Sequence, residues 1–304
     1  MDKLLLILFC IAAGLLLRRF KVVPADSYQT LNKLLVNFFM PALILWQITA
    51  LQFNNKFIFP ILVAWIIFAA AFVFFMMVGK WNGFPRTSIA ALIITGGISS
   101  TSFLGFPIFE MLYGKEGLQI AILMSQAGSF LIGITMGVAV ASWYSSTTPS
   151  IKGITFNILR FPPFIAFVLS ICLNRWGYQF PALVNDMLAK LSSPYLILAL
   201  LSVGMQINLS ANGVDLKMLT YGLVFKLVLA PVLIFILYRF IFDQQKFIVA
   251  ISVMGAAIGP MNTAAIIAGK YNLDTKLASQ MVAIGIPLSL PIIYIIHLLM
   301  EQLS

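Results

Sequence analysis

Apolar residues occur along this chain in long runs that are separated by short polar connections. Each run is roughly twenty residues long, the length at which an α-helix crosses the hydrocarbon core of a bilayer. The pattern therefore predicts an all-α polytopic membrane protein with ten transmembrane helices, at residues 3–20, 28–51, 57–78, 87–113, 117–143, 161–174, 181–207, 216–242, 247–271 and 278–299. No signal cleavage site follows the first run, so we expect that run to be retained as a helix.

Two of the runs contain helix-breaking residues in their middle. The ninth span carries Gly259 and Pro260, and the fourth carries Gly105 and Pro107. Proline removes a backbone donor and disfavours helix just before its ring. Opened backbone at membrane depth is tolerated only where protein or a water-filled cavity satisfies it. We expect spans four and nine to be broken helices that cross at the membrane midplane, as in many transporters.

The prolines also indicate an internal repeat. Pro41 and Pro107 are 66 residues apart, Pro194 and Pro260 are 66 residues apart, and the two pairs share one offset of 153 residues. With fourteen prolines in the chain, chance is the competing explanation. Each proline nevertheless falls in a corresponding span, and five spans lie on either side of a central polar stretch. An odd number of spans per half predicts two five-helix repeats of inverted orientation.

Composition excludes a soluble protein. The chain is 61% hydrophobic and 9% charged, whereas soluble domains are about a quarter charged. Its net charge of +10 comes from single or short groups of bases between apolar runs, which argues against a nucleic-acid partner. Ten bases lie on the side of the first connection and six on the other. The positive-inside rule therefore predicts extracytoplasmic termini and a cytoplasmic linker at 144–160, part of which could form an interfacial helix.

Several short motifs resemble the auxin efflux carrier family, which includes plant PIN carriers and bacterial permeases associated with malate and malonate. The resemblance covers nearly the whole chain, and the order and spacing of the motifs carry it. They are Gly14, Leu34 to Leu43 around Pro41, Phe103 to Pro107, Tyr113 to Gly117, Pro194, Leu201 to Met205, Lys226 ahead of Pro231, Pro260, Tyr271 to Asp274, and Leu277 to Ser279. One departure is Ser100, because PIN carriers have an asparagine seven residues before the span-four proline. That departure weakens any argument for auxin itself.

The resemblance implies a division of labour between spans. A scaffold would comprise residues 1–56 and 161–212, and a moving, elevator-type transport domain would comprise residues 57–143 and 213–304, with 144–160 as linker. The family also implies a homodimer formed through the scaffold helices. We expect the protein to lie in the bacterial inner membrane.

The broken spans supply the candidate substrate site. Half-helices that start after Pro107 and Pro260 would point free amides and positive dipole ends at a bound anion. Five neighbouring side chains could hydrogen-bond that anion: Ser100, Thr101, Ser102, Asn262 and Thr263. The competing interpretation is that these hydroxyls only satisfy carbonyls released by the breaks.

Charged residues inside spans are functional candidates by default. Lys226 and Glu110 belong to the expected transport domain, and Glu110 follows Pro107 in what should be the first turn of a half-helix. Lys33 and Lys190 lie in the expected scaffold, where snorkelling or an ion pair explains them equally well. All four are candidates for coupling or charge relay.

What the sequence lacks narrows the function. No metal cluster or cofactor motif is present, and Cys10 and Cys172 lie in apolar runs as expected buried thiols. A membrane-embedded enzyme would need a nucleophile–base pair or a metal site, which the sequence does not provide. We expect a transporter of a small organic anion, driven by a proton, by sodium or by neither. An antiporter or channel for another solute is the alternative.

Overall fold

The computed structural model describes residues 2–24, 26–145, 156, 158–207 and 215–302. In these ranges the regular secondary structure is helical, and one isolated antiparallel bridge joins Ser99 to Pro260. The all-α prediction is confirmed for this part of the chain. The interfacial helix predicted within 144–160 falls largely outside it.

The helices follow the predicted spans closely. They are α1 (Asp2–Arg19), α2 (Ser27–Thr49), α3 (Ile58–Asn82), α4 (Arg86–Gly97), α5 and α6 within the run Thr101–Tyr144, α7 (Pro162–Arg175), α8 (Ala182–Gln206), α9 (Leu216–Ile241), α10 (Lys246–Ala257), α11 (Asn262–Lys270) and α12 (Thr275–Gln302). Gly114 separates α5 (101–113) from α6 (115–144), because its φ of 66° and ψ of −151° are not helical. Only glycine adopts such a conformation readily.

Six helical segments of the described chain are long and apolar enough to cross a membrane: α2, α3, the run that holds α5 and α6, α8, α9 and α12. The apolar helices α7 and α10 are shorter, at 14 and 12 residues. These lengths identify an integral membrane protein. The number of ten spans and their inverted repeat stay predictions.

The helices form two compact units. The first comprises Met1–Asn54, Ser102–Ile122 and Thr155–Ile207. In it α1 packs so closely on α8 that a Cβ on Gly14 would lie 2.1 Å from the carbonyl oxygen of Leu201, and a Cβ on Gly204 would lie 2.1 Å from that of Ile11. Small residues allow this close backbone approach between membrane helices.

A side chain of α7 caps the C-terminal end of α2 in the same unit. Asn174 Nδ2 donates to the carbonyl oxygens of Ile48 (3.2 Å), Thr49 (2.8 Å) and Leu51 (2.7 Å). The last carbonyls of a helix have no partner within the helix, and this amide supplies a donor to three carbonyls at that end. The Ile48 carbonyl also accepts from the Leu51 amide at 3.1 Å. The second half of α2 thus packs against α7, and the second half of α8 packs against α1. In both pairs the two helices come from opposite halves of the chain.

The second unit comprises Asn55–Thr101, Leu123–Ile154 and Asn208–Ser304. Its centre is formed by α4 and α10, in which every residue from Ser88 to Gly97 and from Ile248 to Ala257 is buried. A helix that is apolar on all sides belongs in such a position. Segment Ser102–Ile122 belongs to the first unit by its contacts, whereas the family resemblance grouped it with residues 57–143; the functional division stays a prediction.

Candidate functional site

The two central helices of the second unit end facing each other. Beyond α4, Ile98 is extended at φ −117° and ψ 121°, and beyond α10, Ile258 has φ −59° and ψ 132°. The Ser100 amide donates to the Gly259 carbonyl at 2.9 Å, and the Met261 amide donates to the Ile98 carbonyl at 3.0 Å. We call residues 98–100 and 259–261 the paired breaks. Each break satisfies backbone groups that the other has released, as a buried site requires.

The position of the first break corrects the sequence prediction. Gly105 and Pro107 were expected at the break, but both lie within the helical run that begins at Thr101. A π-helical turn, Thr101–Gly105, ends two residues before the proline and widens the helix next to the ring, which supplies no donor. The second break contains Gly259 and Pro260. Ser99 and Pro260, which face each other, are 161 residues apart, compared with the 153-residue offset of the prolines.

Helix α12 holds the second break in place. A Cβ added to Gly259 would lie 2.7 Å from Cα of Ile286, and a Cβ added to Gly285 would lie 2.6 Å from Cδ of Pro260. Neither approach leaves room for a side chain. Glycine is therefore required at both positions for the break to pack against α12.

A buried lysine reaches the first break. Lys226 lies in the π-helical turn Phe225–Leu229 of α9 and has no exposed surface. Its Nζ donates a hydrogen bond of 2.6 Å to Ser99 Oγ, the residue that faces Pro260. Sequence reasoning had selected Lys226 without indicating what it contacts.

No carboxylate in the described part of the chain forms an ion pair with Lys226. The ion pair found there is Arg239–Asp243, His297 Nε2 lies 3.4 Å from Glu301 Oε1, and neither contact involves Lys226. An ammonium has three N–H donors, and the described residues accept one of them. Burying an ammonium without a partner is costly. The arrangement is therefore suited to a negatively charged or strongly accepting ligand.

The predicted substrate residues divide between the two units. Ser100 and Thr101 are buried in the second unit, where the Thr101 and Ser129 hydroxyls share a hydrogen bond of 3.2 Å. Asn262 and Thr263 open α11 in the same unit, and Thr263 is exposed. Ser102 belongs to the first unit, where its carbonyl accepts from the Tyr195 hydroxyl at 3.2 Å. The paired breaks thus bring together four of the five predicted residues.

The other charged candidates, Glu110, Lys33 and Lys190, belong to the first unit. Glu110 is in the first unit, well beyond the first turn of α5, so the expected helix-dipole explanation is wrong because α5 begins at Thr101. Its Oε2 is buried with no hydrogen-bond partner among the described residues. Lys33 and Lys190 are exposed on α2 and α8.

Sequence reasoning missed four polar residues of the second unit. Ser99 accepts from Lys226, and Ser129 pairs with Thr101. Ser252 Oγ and Gln126 Oε1 are buried without a partner in the described part of the chain. The run Ser99–Ser100–Thr101–Ser102 was the available signal for Ser99, since four consecutive hydroxyl side chains are unusual in an apolar span.

Comparison with known proteins decides the family. The model of the family described as membrane transport protein matches residues 1–297. The chain belongs to this family. Membership confirms the resemblance to the auxin efflux carriers and identifies an integral membrane transporter.

Relatives of this transporter span nearly its whole length. The uncharacterized transporter MJ1031 of Methanocaldococcus jannaschii is 23% identical over 96% of both chains. The uncharacterized transporter YfdV of Escherichia coli is 24% identical over 94% of this chain and 92% of its own. An uncharacterized transporter of Methanothermobacter thermautotrophicus is 24% identical over 95% and 94%. These relatives are named as transporters without a substrate.

Proposed function

We propose that this protein is a secondary transporter of a small organic anion, which binds at the paired breaks and crosses the membrane by alternating access. The observation that carries the proposal is the buried ammonium of Lys226, which reaches Ser99 at the first break and has no carboxylate partner among the described residues. A carboxylate is the ligand that this charge and its unused donors favour.

The helix starting at the second break adds to this preference. Helix α11 begins at Asn262 without a side-chain cap on its first amides. Such a helix end carries a partial positive charge and favours an anion. Asn262 contributes an amide side chain at that end, and Ser100 and Thr101 contribute hydroxyl groups at the other break. All of these groups are capable of hydrogen bonding to a carboxylate.

Helix lengths support a site near the membrane midplane. Helices α4 and α10 each have 12 residues before the break. At about 1.5 Å per residue they are about 18 Å long, a little over half of a hydrocarbon core of about 30 Å. A substrate at the breaks would then be roughly equidistant from both aqueous phases, as alternating access requires.

The proposed motion carries residues 57–143 and 213–304 against a scaffold of residues 1–56 and 161–212, in the elevator manner of a crossover domain. The inverted repeat with crossing helices, the homodimer formed through the scaffold and the extracytoplasmic termini belong to the same proposal. The close packing of α1 on α8 and of α7 on α2 supports a rigid scaffold.

Counterflow in proteoliposomes tests the proposed function. Vesicles preloaded with unlabelled acid receive labelled malate, malonate or indole-3-acetate, with and without a pH gradient, beside protein-free vesicles and the Asn262→Ala variant. Saturable accumulation of one acid, reduced in the variant, is the expected result. Folded protein that shows no counterflow with any organic acid contradicts the proposal, and flux without saturation indicates a channel.

A further inference from the structure

We propose that Lys226 is the fixed positive charge of the transport site, that one carboxylate neutralises it, and that the carried substrate is therefore a monocarboxylate exchanged without net charge movement. This inference rests on the proposed function. It adds the charge of the substrate and the absence of a co-transported cation.

The number of charged side chains available to the site follows from which polar residues are buried. Among the buried polar residues of the described chain, Lys226 is the only one that carries a full charge. The remainder are serine, threonine and glutamine. The proposal assigns one positive charge to the empty site, that of the Lys226 ammonium.

The donors of Lys226 match one carboxylate. Ser99 Oγ takes one N–H, and no other hydrogen bond of this ammonium is made within the described residues. Two donors are left for the two oxygens of a carboxylate. A second carboxylate on the same ligand would bring a further negative charge into the site without a buried cation to meet it, which is strongly unfavourable. The site should therefore select monoanions.

The lysine is placed to act together with the predicted substrate residues. Ser99 faces Pro260 across the antiparallel bridge, and Asn262 opens α11 two residues later. Ser100 follows Ser99 and is tied by its amide to Gly259. A carboxylate on Lys226 would therefore lie at the meeting point of both breaks.

A fixed positive charge in the site makes the movement of the empty site depend on the membrane voltage, which a lysine with only a packing role would not do. The loaded site, with one ammonium and one carboxylate, is neutral, so its passage through the membrane is insensitive to voltage. The empty site carries one positive charge, whose complete transfer across 100 mV changes an equilibrium about 50-fold. Exchange of two anions uses only the loaded site, whereas net efflux also needs the return of the empty site.

The test measures anion exchange and net anion efflux in proteoliposomes, in sodium-free media. Potassium gradients with valinomycin set the membrane voltage. Labelled indole-3-acetate and monomethyl malonate serve as monoanions, and malonate is the dianion matched to the second. The rate at which the wild type exchanges a monoanion should be unchanged between 0 and 100 mV of either polarity. The rate of net efflux should change severalfold over the same range. Malonate should exchange more than tenfold more slowly than its monomethyl ester.

Variants separate charge from packing. Lys226→Met should make any remaining exchange voltage-dependent, because its loaded site carries one negative charge. Lys226→Arg keeps the charge and should keep exchange voltage-independent. Lys276→Met, which removes an exposed lysine of the same unit, should behave as wild type.

Three results would overturn the inference while leaving a carboxylate transporter in place. These are wild-type exchange that requires sodium, net efflux that is independent of voltage, and equal or faster exchange of malonate. The wild-type measurements decide it even where Lys226→Met does not fold. Folded wild-type protein without counterflow of any acid contradicts the proposed function itself, and the role of Lys226 with it.

Discussion

Lys226 Nζ and Ser99 Oγ are 2.6 Å apart, and this hydrogen bond joins α9 to the break that follows α4. Both residues are buried, and Ser99 is also the residue that bridges to Pro260. One lysine side chain is thus fixed directly to the point where two interrupted helices exchange backbone hydrogen bonds. This relationship fixes the position of the lysine side chain at the paired breaks.

Removing the hydroxyl group of Ser99 should destabilise the protein only while the lysine is present. Ser99→Ala leaves a buried ammonium without its acceptor, at an expected loss of about 1–3 kcal/mol in unfolding free energy. In the Lys226→Met background the same substitution should have little effect. Thermal unfolding of the four proteins in detergent measures the cycle. Equal losses in both backgrounds would show that the hydrogen bond is not responsible.

Gly259→Ala should displace the second break. The added methyl group would lie 2.7 Å from Cα of Ile286, and overpacking of this kind is expected to reduce the unfolding free energy by about 1–3 kcal/mol. Counterflow should fall sharply, because the paired breaks can no longer keep their geometry. Gly269→Ala is the control, since its nearest neighbour would be 3.9 Å away. Normal transport by Gly259→Ala would mean that the break does not need to pack on α12.

Asn262→Ala should lower counterflow while the protein remains folded. The side chain stands at the start of α11, where the proposed site needs a neutral hydrogen-bonding group. We expect at least a tenfold higher half-saturation concentration for the transported acid, with elution and thermal stability close to wild type. Asn185→Ala, an exposed asparagine of α8, serves as the matched control. Unchanged affinity and rate would remove Asn262 from the site.

Asn174→Ala tests the packing of the first unit. Its amide donates to the carbonyls of Ile48, Thr49 and Leu51, so its loss removes the side-chain donor of Thr49 and Leu51, while Ile48 keeps the Leu51 amide. The expected decrease in unfolding free energy is about 1–3 kcal/mol, seen as a thermal midpoint several degrees lower. Stability equal to that of wild type would contradict the capping role.

Helix positions were predictable because apolar run length directly reflects the span of a membrane helix. The predicted run at 216–242 became α9, Leu216–Ile241, and the run at 278–299 lies within α12, Thr275–Gln302. Gly259 and Pro260 likewise carry local signals that mark an interrupted helix. These features depend on residues close together in sequence.

The first break was misplaced because its cause is not local. Ile98 and Ser99 are ordinary residues for a helix, and they are extended where they pair with residues far along the chain. Pro107, the obvious local marker, is accommodated by a π-helical turn. The partner of Lys226 was hidden for the same reason, since 127 residues separate it from Ser99. Single-sequence patterns carry no information on such contacts.

Protection of a single cysteine by substrate tests the central claim, that the anion binds at the paired breaks. Thr263→Cys, at the exposed start of α11, would be made in a protein whose Cys10 and Cys172 are replaced by alanine and serine. A saturating concentration of a carboxylate that the protein exchanges should slow maleimide labelling several-fold, and Thr275→Cys on α12 should label at an unchanged rate. If the exchanged acid leaves the labelling of Thr263→Cys unaltered, the anion does not bind at the paired breaks.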